Sequence, residues 1–291
     1  MVGLARRTRH DLQIIRKHQG SITDMAARPI SIYWWKSPDF VNIGDEINLQ
    51  VCAYVSGRTV EHAELAECDL LSIGSVVHFP VNLKTFTTRQ TPIHVWGSGS
   101  LEPKPVPPGT PLVYHALRGP LTRCLTSASN DLPLGDPGLL APRIWKGASQ
   151  KAHRWGVIPH HSQRSAAWVK HVLANTPRSV MIDVCNPDFA ATFKLLSSCD
   201  FIVSTSLHGL IFADAWGIPS IWPESAEVHR GKSWKYFDYF ASVGRSQFRA
   251  VTLPPSGNLA DLPQGLLRTE HLAGIPMIGD RLEASFPRDV F

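Results

Sequence analysis

Residues 200–222 read DFIVSTSLHGLIFADAWGIPSIW, and this stretch decides the fold. Asp200–Ser204 is a short, mostly apolar run of the length expected for a buried strand. The polar turn TSLHG follows, then the amphipathic stretch LIFADAW, which predicts a helix through Trp216. Gly217-Ile218-Pro219 ends that helix, because proline lacks the amide a further turn would need. Ser220–Trp222 reads as the next strand. Strand, helix, strand at this spacing is a βαβ unit, and such crossovers are right-handed in nearly all cases.

The same grammar extends outward. Upstream, Trp155–Ile158 predicts a strand ending in Pro159-His160-His161, Ser179–Ile182 a second strand and Phe189–Ser198 a helix. The first half repeats it with Ser31–Trp35, a loop NIGDE and a helical stretch Ile47–Ser56. Three apolar strands follow, each running into a glycine turn: Leu70–Ile73, Ile93–Trp96 and Val113–Leu117. Apolar strands that end in Gly/Ser turns before helices suit a parallel sheet covered on both faces. PVPPGTP at 105–111 is a loop. The polar, basic stretch 142–152 reads as a junction between two α/β halves. The expected organisation is a basic N-terminal segment, 1–23; an N-terminal α/β domain, 24–145; a C-terminal α/β domain, 152–254; and a tail, 255–291, packing back on the first domain. Two such Rossmann-like domains would face a cleft lined by the carboxyl ends of their strands, where open α/β sheets bind ligands.

Composition narrows the function classes. Of 291 residues, 43% are hydrophobic and 18% charged, too apolar for disorder. The longest run free of Asp, Glu, Lys and Arg, 70–83, is 14 residues, short of the ~18 needed to span a bilayer. The opening MVGLARRTRHDLQIIRKHQG has no apolar core of a secretory signal, and five scattered cysteines make neither a disulfide framework nor a zinc site. A cytoplasmic protein is expected. The net charge of +5 concentrates in seven basic residues within Arg6–His18. These read as a solvated helix face or as a peripheral contact with an anionic membrane face. No nucleic-acid motif appears, so no nucleic-acid partner is expected. P-loop, GxGxxG, GxSxG and HExxH motifs are absent, and no carboxylate-rich cluster calls for a metal.

Four places carry candidate chemistry. Ser204-Thr205-Ser206-Leu207-His208-Gly209 offers free helix amides, three hydroxyls, an imidazole and a glycine for close backbone approach, hence an anion site. An N-cap serine with a half-buried histidine reads equally well. Asn42-Ile43-Gly44-Asp45-Glu46 either caps the following helix or points a carboxylate into the cleft as a base. Arg118 at a strand-to-helix turn would grip carboxylate or phosphate. Gly135-Asp136-Pro137 reads as a turn. His160 and His161 should lie on opposite sides of a strand end, with at most one facing the cleft.

In order along the chain, NIGDEIN (42–48), ALRGPLTR (116–123), LGDPGLL (134–140), VIPHH (157–161), STSLHGLIFADAWGIPSIW (204–222) and KSWKYFDYF (232–240) resemble the polysaccharide pyruvyltransferase family, in particular bacterial exopolysaccharide ketal pyruvyltransferases. The resemblance spans about 31–245. It implies a GT-B-like fold, phosphoenolpyruvate as donor substrate with no further cofactor, and a sugar diol on a lipid-linked oligosaccharide or polysaccharide repeat unit as acceptor, at the cytoplasmic membrane face. Carried over by position, His208 and Asp45 would be catalytic. Arg118, Ser206, Leu207, His208 and Gly209 would hold the donor, with Ser206 standing where some relatives have Arg. Asn42, Gly44, Glu46, Asp136, His160 and Lys232 are further candidates. The alternative is a glycosyltransferase of the same fold using a nucleotide sugar, and after that a glycan-binding module without catalysis.

Overall fold

The computed structural model describes residues 28–82, 91–225, 231, 233–247 and 249–291; the basic segment 1–23 and Lys232 lie outside them. The chain is mixed α/β with two parallel sheets. The first is built from β1 (Ile30–Tyr33), β2 (Val60–His62), β3 (Leu70–Leu71), β4 (Ile93–Trp96) and β5 (Leu112–Ala116), in the order β2-β1-β3-β4-β5. The second contains β6 (His153–Ile158), β7 (Ser179–Met181), β8 (Cys199–Ser204) and β9 (Ser220–Ile221), in the order β7-β6-β8-β9. Every pairing is parallel.

In the first half the helices are α1 (Ile43–Glu46), α2 (Asn48–Ser56), α3 (Pro120–Cys124) and α4 (Ala141–Ile144). They continue with α5 (Ala167–Asn175), α6 (Phe189–Ser197), α7 (Leu207–Ala215), α8 (Trp234–Val243) and α9 (Ile275–Ala284). The βαβ unit at 200–222 forms: β8 leads through α7 into β9, with Ile202 opposite Ser220 and Val203 opposite Ile221. Gly217 stands just past α7 with φ +65°, the left-handed conformation that ends helices and suits glycine.

Differences from expectation are local. NIGDE is not a loop but the one-turn helix α1, started by Asn42, whose side chain accepts from the Gly44 amide. β2 was unreadable because VEH, at a sheet edge, carries a single apolar residue. The tail contributes α9, seated under the first sheet. Trp96 Nε1 donates to the Leu282 carbonyl at 2.9 Å, and Arg143 pairs with Asp280 and Glu283. His271 in turn meets Asp214 of α7 at 3.0 Å. One apolar cluster joins both sheets, running from Ile30 and Ile32 through Leu140, Phe193 and Leu210 to Phe286. None of the five cysteines is in a disulfide. Among the described residues no helix is long and apolar enough to cross a membrane.

Strand order locates the site. In a doubly wound sheet the chain leaves neighbouring strands in opposite directions at one point, opening a crevice beyond their carboxyl ends. That switch point falls between β1 and β3 in one sheet and between β6 and β8 in the other. The segments that follow these four strands meet.

Candidate active site

A cavity of about 250 Å³ lies where those segments converge. After β1 come Asn42 and Asp45; after β3, Ser75; after β6, His160 and His161; after β8, Ser206, Leu207 and His208. Lys235 of α8 completes the wall. The two halves touch directly: the Ile43 amide donates to the Val184 carbonyl at 2.9 Å, and a Cβ on Gly44 would lie 2.0 Å from His208 Nδ1. Gly44 is therefore a packing requirement of His208. It lets the NIGDE turn and the SLHG turn share one wall.

Asp45 is not the helix cap. Asn42 does the capping, and its Nδ2 also donates to Asp45 Oδ2, leaving the carboxyl in the cavity wall. Burial pushes Asp45 up to about 7, opposed by the ammonium of Lys235 and assisted by Asp136 and Glu46. A carboxylate poised near neutrality is suited to general-base work. Burial likewise brings Lys235 down to about 7, with Arg118 adding to the effect and Asp45 opposing it. Glu46 is half-buried beside the site and does not line it.

His208, 13% exposed, stacks on Phe212 with centroids 5.9 Å apart. Burial, with Lys235 and Arg118 contributing, brings its pKa down to about 3. Without a bound anion the imidazole is neutral, so an acid role requires a charge change when the donor arrives. Behind it, Asp136 is fully buried, and its Oδ1 accepts from the Gly138 amide at 2.9 Å. Gly135-Asp136-Pro137 is thus more than a turn: it sets a carboxylate beneath the imidazole.

Four expectations are corrected. Arg118 does not reach the cavity surface. It is 1% exposed, and its Nε donates to Asp238 at 3.0 Å, Nη1 to Ser75 Oγ at 2.6 Å and Nη2 to the Ser100 carbonyl at 2.7 Å. Its charge is felt by His208 and Lys235, and three of its N–H groups bind Asp238, Ser75 and the Ser100 carbonyl. The three hydroxyls of STSLHG (204–209) also divide. Ser204 Oγ donates to Ile158 O and Thr205 Oγ1 accepts from the His160 amide, so only Ser206 faces the cavity. Gly209 serves packing against the strands, since a Cβ there would lie 2.3 Å from Ser204 Oγ and 2.8 Å from Ile158. Both His160 and His161 line the cavity, because the strand ends at Ile158 and a 3₁₀ turn at 161–163 rotates them to one side.

Lys235 and Asp238 are the residues the sequence reading missed. In KSWKYFDYF the local pattern points to Lys232 and not to Lys235. Helical spacing places 235 and 238 on one face, among the buried side chains of α8. Charges three apart within an aromatic helix were the available signal. Trp35, 38% exposed at the cavity rim, with Phe40 and His161 against it, was likewise hidden in a strand assignment.

The profile of the polysaccharide pyruvyl transferase family matches residues 6–222. The chain belongs to that family. The matched stretch contains Asp45, Asp136 and His208 and stops short of Lys235. Two curated relatives are similar to this pyruvyl transferase family member. Uncharacterized protein L143 of Acanthamoeba polyphaga mimivirus is 28% identical over 157 residues, covering 50% of this chain and 54% of its own. Succinoglycan biosynthesis protein ExoV of Rhizobium meliloti (strain 1021) is 24% identical over 219 residues, 73% of this chain and 64% of its own. The matches thus span between about half and two thirds of the relatives' lengths. No solved structure matches this member of the family.

Proposed function

We propose that the protein transfers pyruvyl from phosphoenolpyruvate to a sugar diol of a lipid-linked polysaccharide repeat unit, forming a cyclic ketal and releasing phosphate. Family membership supports the transfer. The observation that carries the finer reading is the convergence of Asp45, His208 and Lys235 on one cavity at both sheet switch points. The arrangement is read as GT-B-like, with 24–145 forming the acceptor side and 152–254 the donor side, and the protein as cytoplasmic, with 1–23 contacting the membrane face that presents the acceptor.

The donor carries a carboxylate and a phosphate. The start of α7 supplies unpaired backbone amides and Ser206, and Lys235 supplies the cation that Arg118 cannot. His208 protonates the methylene carbon, which leaves an oxocarbenium-like centre. An acceptor hydroxyl attacks that centre while Asp45 takes its proton. Loss of phosphate and attack by the neighbouring hydroxyl close the ketal. Of the two hydroxyl protons, one ends on the new methyl group and one on the phosphate. No further cofactor enters this scheme. The sugar ring lies against the exposed indole of Trp35, an apolar face suited to a pyranose.

Incubating the protein and a lipid-linked repeat unit with phosphoenolpyruvate, or with nucleotide sugars, decides the class by product mass. Addition of a pyruvyl group with release of phosphate is expected. Addition of a hexose from a nucleotide sugar would make the protein a glycosyltransferase instead.

A further inference from the structure

Two polar atoms buried under the cavity face each other with no hydrogen-bond partner: His208 Nε2 and Asp136 Oδ2, 4.0 Å apart. Unsatisfied buried polar groups are costly and few in native proteins, so two at one place call for an explanation. The gap exceeds a hydrogen bond. Everything around them is fixed. Asp136 is held at Oδ1 by the Gly138 amide, and the turn Pro137–Leu140 packs against α7, which carries His208. On its other side the imidazole passes close to Gly44 and lines the cavity. The ring thus separates a sealed carboxyl from the cavity.

We propose that Asp136 is the positioning residue for His208, holding a proton that passes to Nε2 when the anionic donor binds and leaving an imidazolium–carboxylate pair beneath the reacting carbon. This rests on the reading of the protein as a phosphoenolpyruvate-dependent transferase. The starting protonation states fit. Burial raises Asp136 to about 6, with the Gly138 amide and Arg118 opposing and Asp238 assisting, so below that pH its carboxyl carries a proton while burial keeps His208 neutral. Facing His208 are Lys235 and Arg118, with Asp45 in the same cavity wall; facing Asp136 are Arg118, Asp238, Asp45 and the Tyr239 hydroxyl. Burial holds His208 neutral, and the cations Lys235 and Arg118 add to it. A bound polyanion offsets those cations and tips the proton across.

The steps balance. The Oδ2–H bond of Asp136 breaks as Nε2–H forms. Nδ1–H then gives its proton to the methylene carbon, leaving a neutral ring hydrogen-bonded through Nε2–H to a carboxylate. One of the two acceptor hydroxyl protons reloads the pair; the other leaves on phosphate.

The test is ¹⁵N NMR of the His208 ring at pH 5 in wild type and Asp136→Asn, with phosphoenolpyruvate and separately with inorganic phosphate, alongside kcat against pH. Asn keeps the Oδ1 cap of Gly138 but cannot release a proton. In wild type either anion should convert His208 from neutral to imidazolium. In Asp136→Asn the ring should stay neutral, kcat should fall ~10²-fold, and KM for phosphoenolpyruvate and the melting temperature should hardly move. A wild-type ring that stays neutral with both anions overturns the proposal. So does an Asp136→Asn protein with the wild-type ring titration and pH profile, or one that loses melting temperature alone. Absence of pyruvyl transfer by wild type would instead overturn the functional reading, while the ring titration with inorganic phosphate still decides the role of Asp136.

Discussion

Asp45 shows how one hydrogen bond can separate two roles that a sequence leaves joined. In NIGDE either Asn or Asp can cap a helix, and the text of the chain does not say which does. In the fold Asn42 takes the cap, so Asp45 is released to the cavity wall, where burial holds its carboxyl near neutrality. Asp45→Asn therefore tests the base role without touching the cap. We expect kcat to fall by ~10²-fold or more with little change in melting temperature. Removing Asp45 also removes the charge that supports protonation of Lys235, so KM for phosphoenolpyruvate should rise, but by less than kcat falls. Near-normal turnover in a stopped assay of phosphate release would return Asp45 to a structural role.

At the scale of elements, the clamp between the β5–α3 turn and α8 explains why Arg118 is held behind the cavity wall. Arg-Gly-Pro after an apolar strand places a guanidinium at the cleft end of the sheet, which is as far as local pattern reaches. Its partner Asp238 is 120 residues later and also accepts from the Thr122 amide and hydroxyl at 2.8 and 2.7 Å. Breaking a buried pair by neutralising one partner costs ~3–5 kcal/mol, because the remaining charge is left uncompensated. Asp238→Asn should thus lower the melting temperature by roughly 6–20 °C. Well below the melting temperature, KM for phosphoenolpyruvate should stay within about threefold of wild type, well short of the 2–5 kcal/mol expected if a direct charge contact to ligand were lost. A donor KM raised by orders of magnitude with an unchanged melt would restore Arg118 to the donor site. The same contrast runs through the chain. Strands that end in Gly or Ser turns and the βαβ unit at 200–222 were legible because buried parallel strands are written as local apolar runs. The polar edge strand β2, the 3₁₀ turn that swings both histidines to one side, the docking of α9 and the inward face of α8 depend on contacts far away in sequence. The candidate site was legible where a residue follows a strand, as with Asp45, Ser206 and His208, and not where it sits mid-helix, as with Lys235.

For the whole molecule, the cavity is assembled from both sheets, so ligand binding there and global stability are linked. A ligand held only by the folded state stabilises it by RT ln(1 + [L]/Kd), about 2.7 kcal/mol at a hundredfold excess, and this shows as a rise in melting temperature. The pH dependence of that rise reports Lys235, the cavity-lining cation. Its folded pKa lies below its unfolded one, at about 7. It is therefore charged below pH 7 and loses its proton in the native state as pH passes upward through that value. Without donor, this loss favours the folded state between about pH 7 and the unfolded pKa near 10.4, since the unfolded chain there binds the extra proton. With donor, the sign reverses for binding: the anion needs the ammonium, so its affinity should weaken by up to about tenfold per pH unit above 7, each unit being worth ~1.4 kcal/mol. Phosphoenolpyruvate should then raise the melting temperature clearly at pH 6.5 and much less at pH 8.5. In Lys235→Met the shift should be small at both, while the ligand-free melt should be as high as wild type or higher, because a buried ammonium has been removed. Donor-induced shifts in Lys235→Met that match wild type at both pH values would show that the cation is supplied from elsewhere in the cavity.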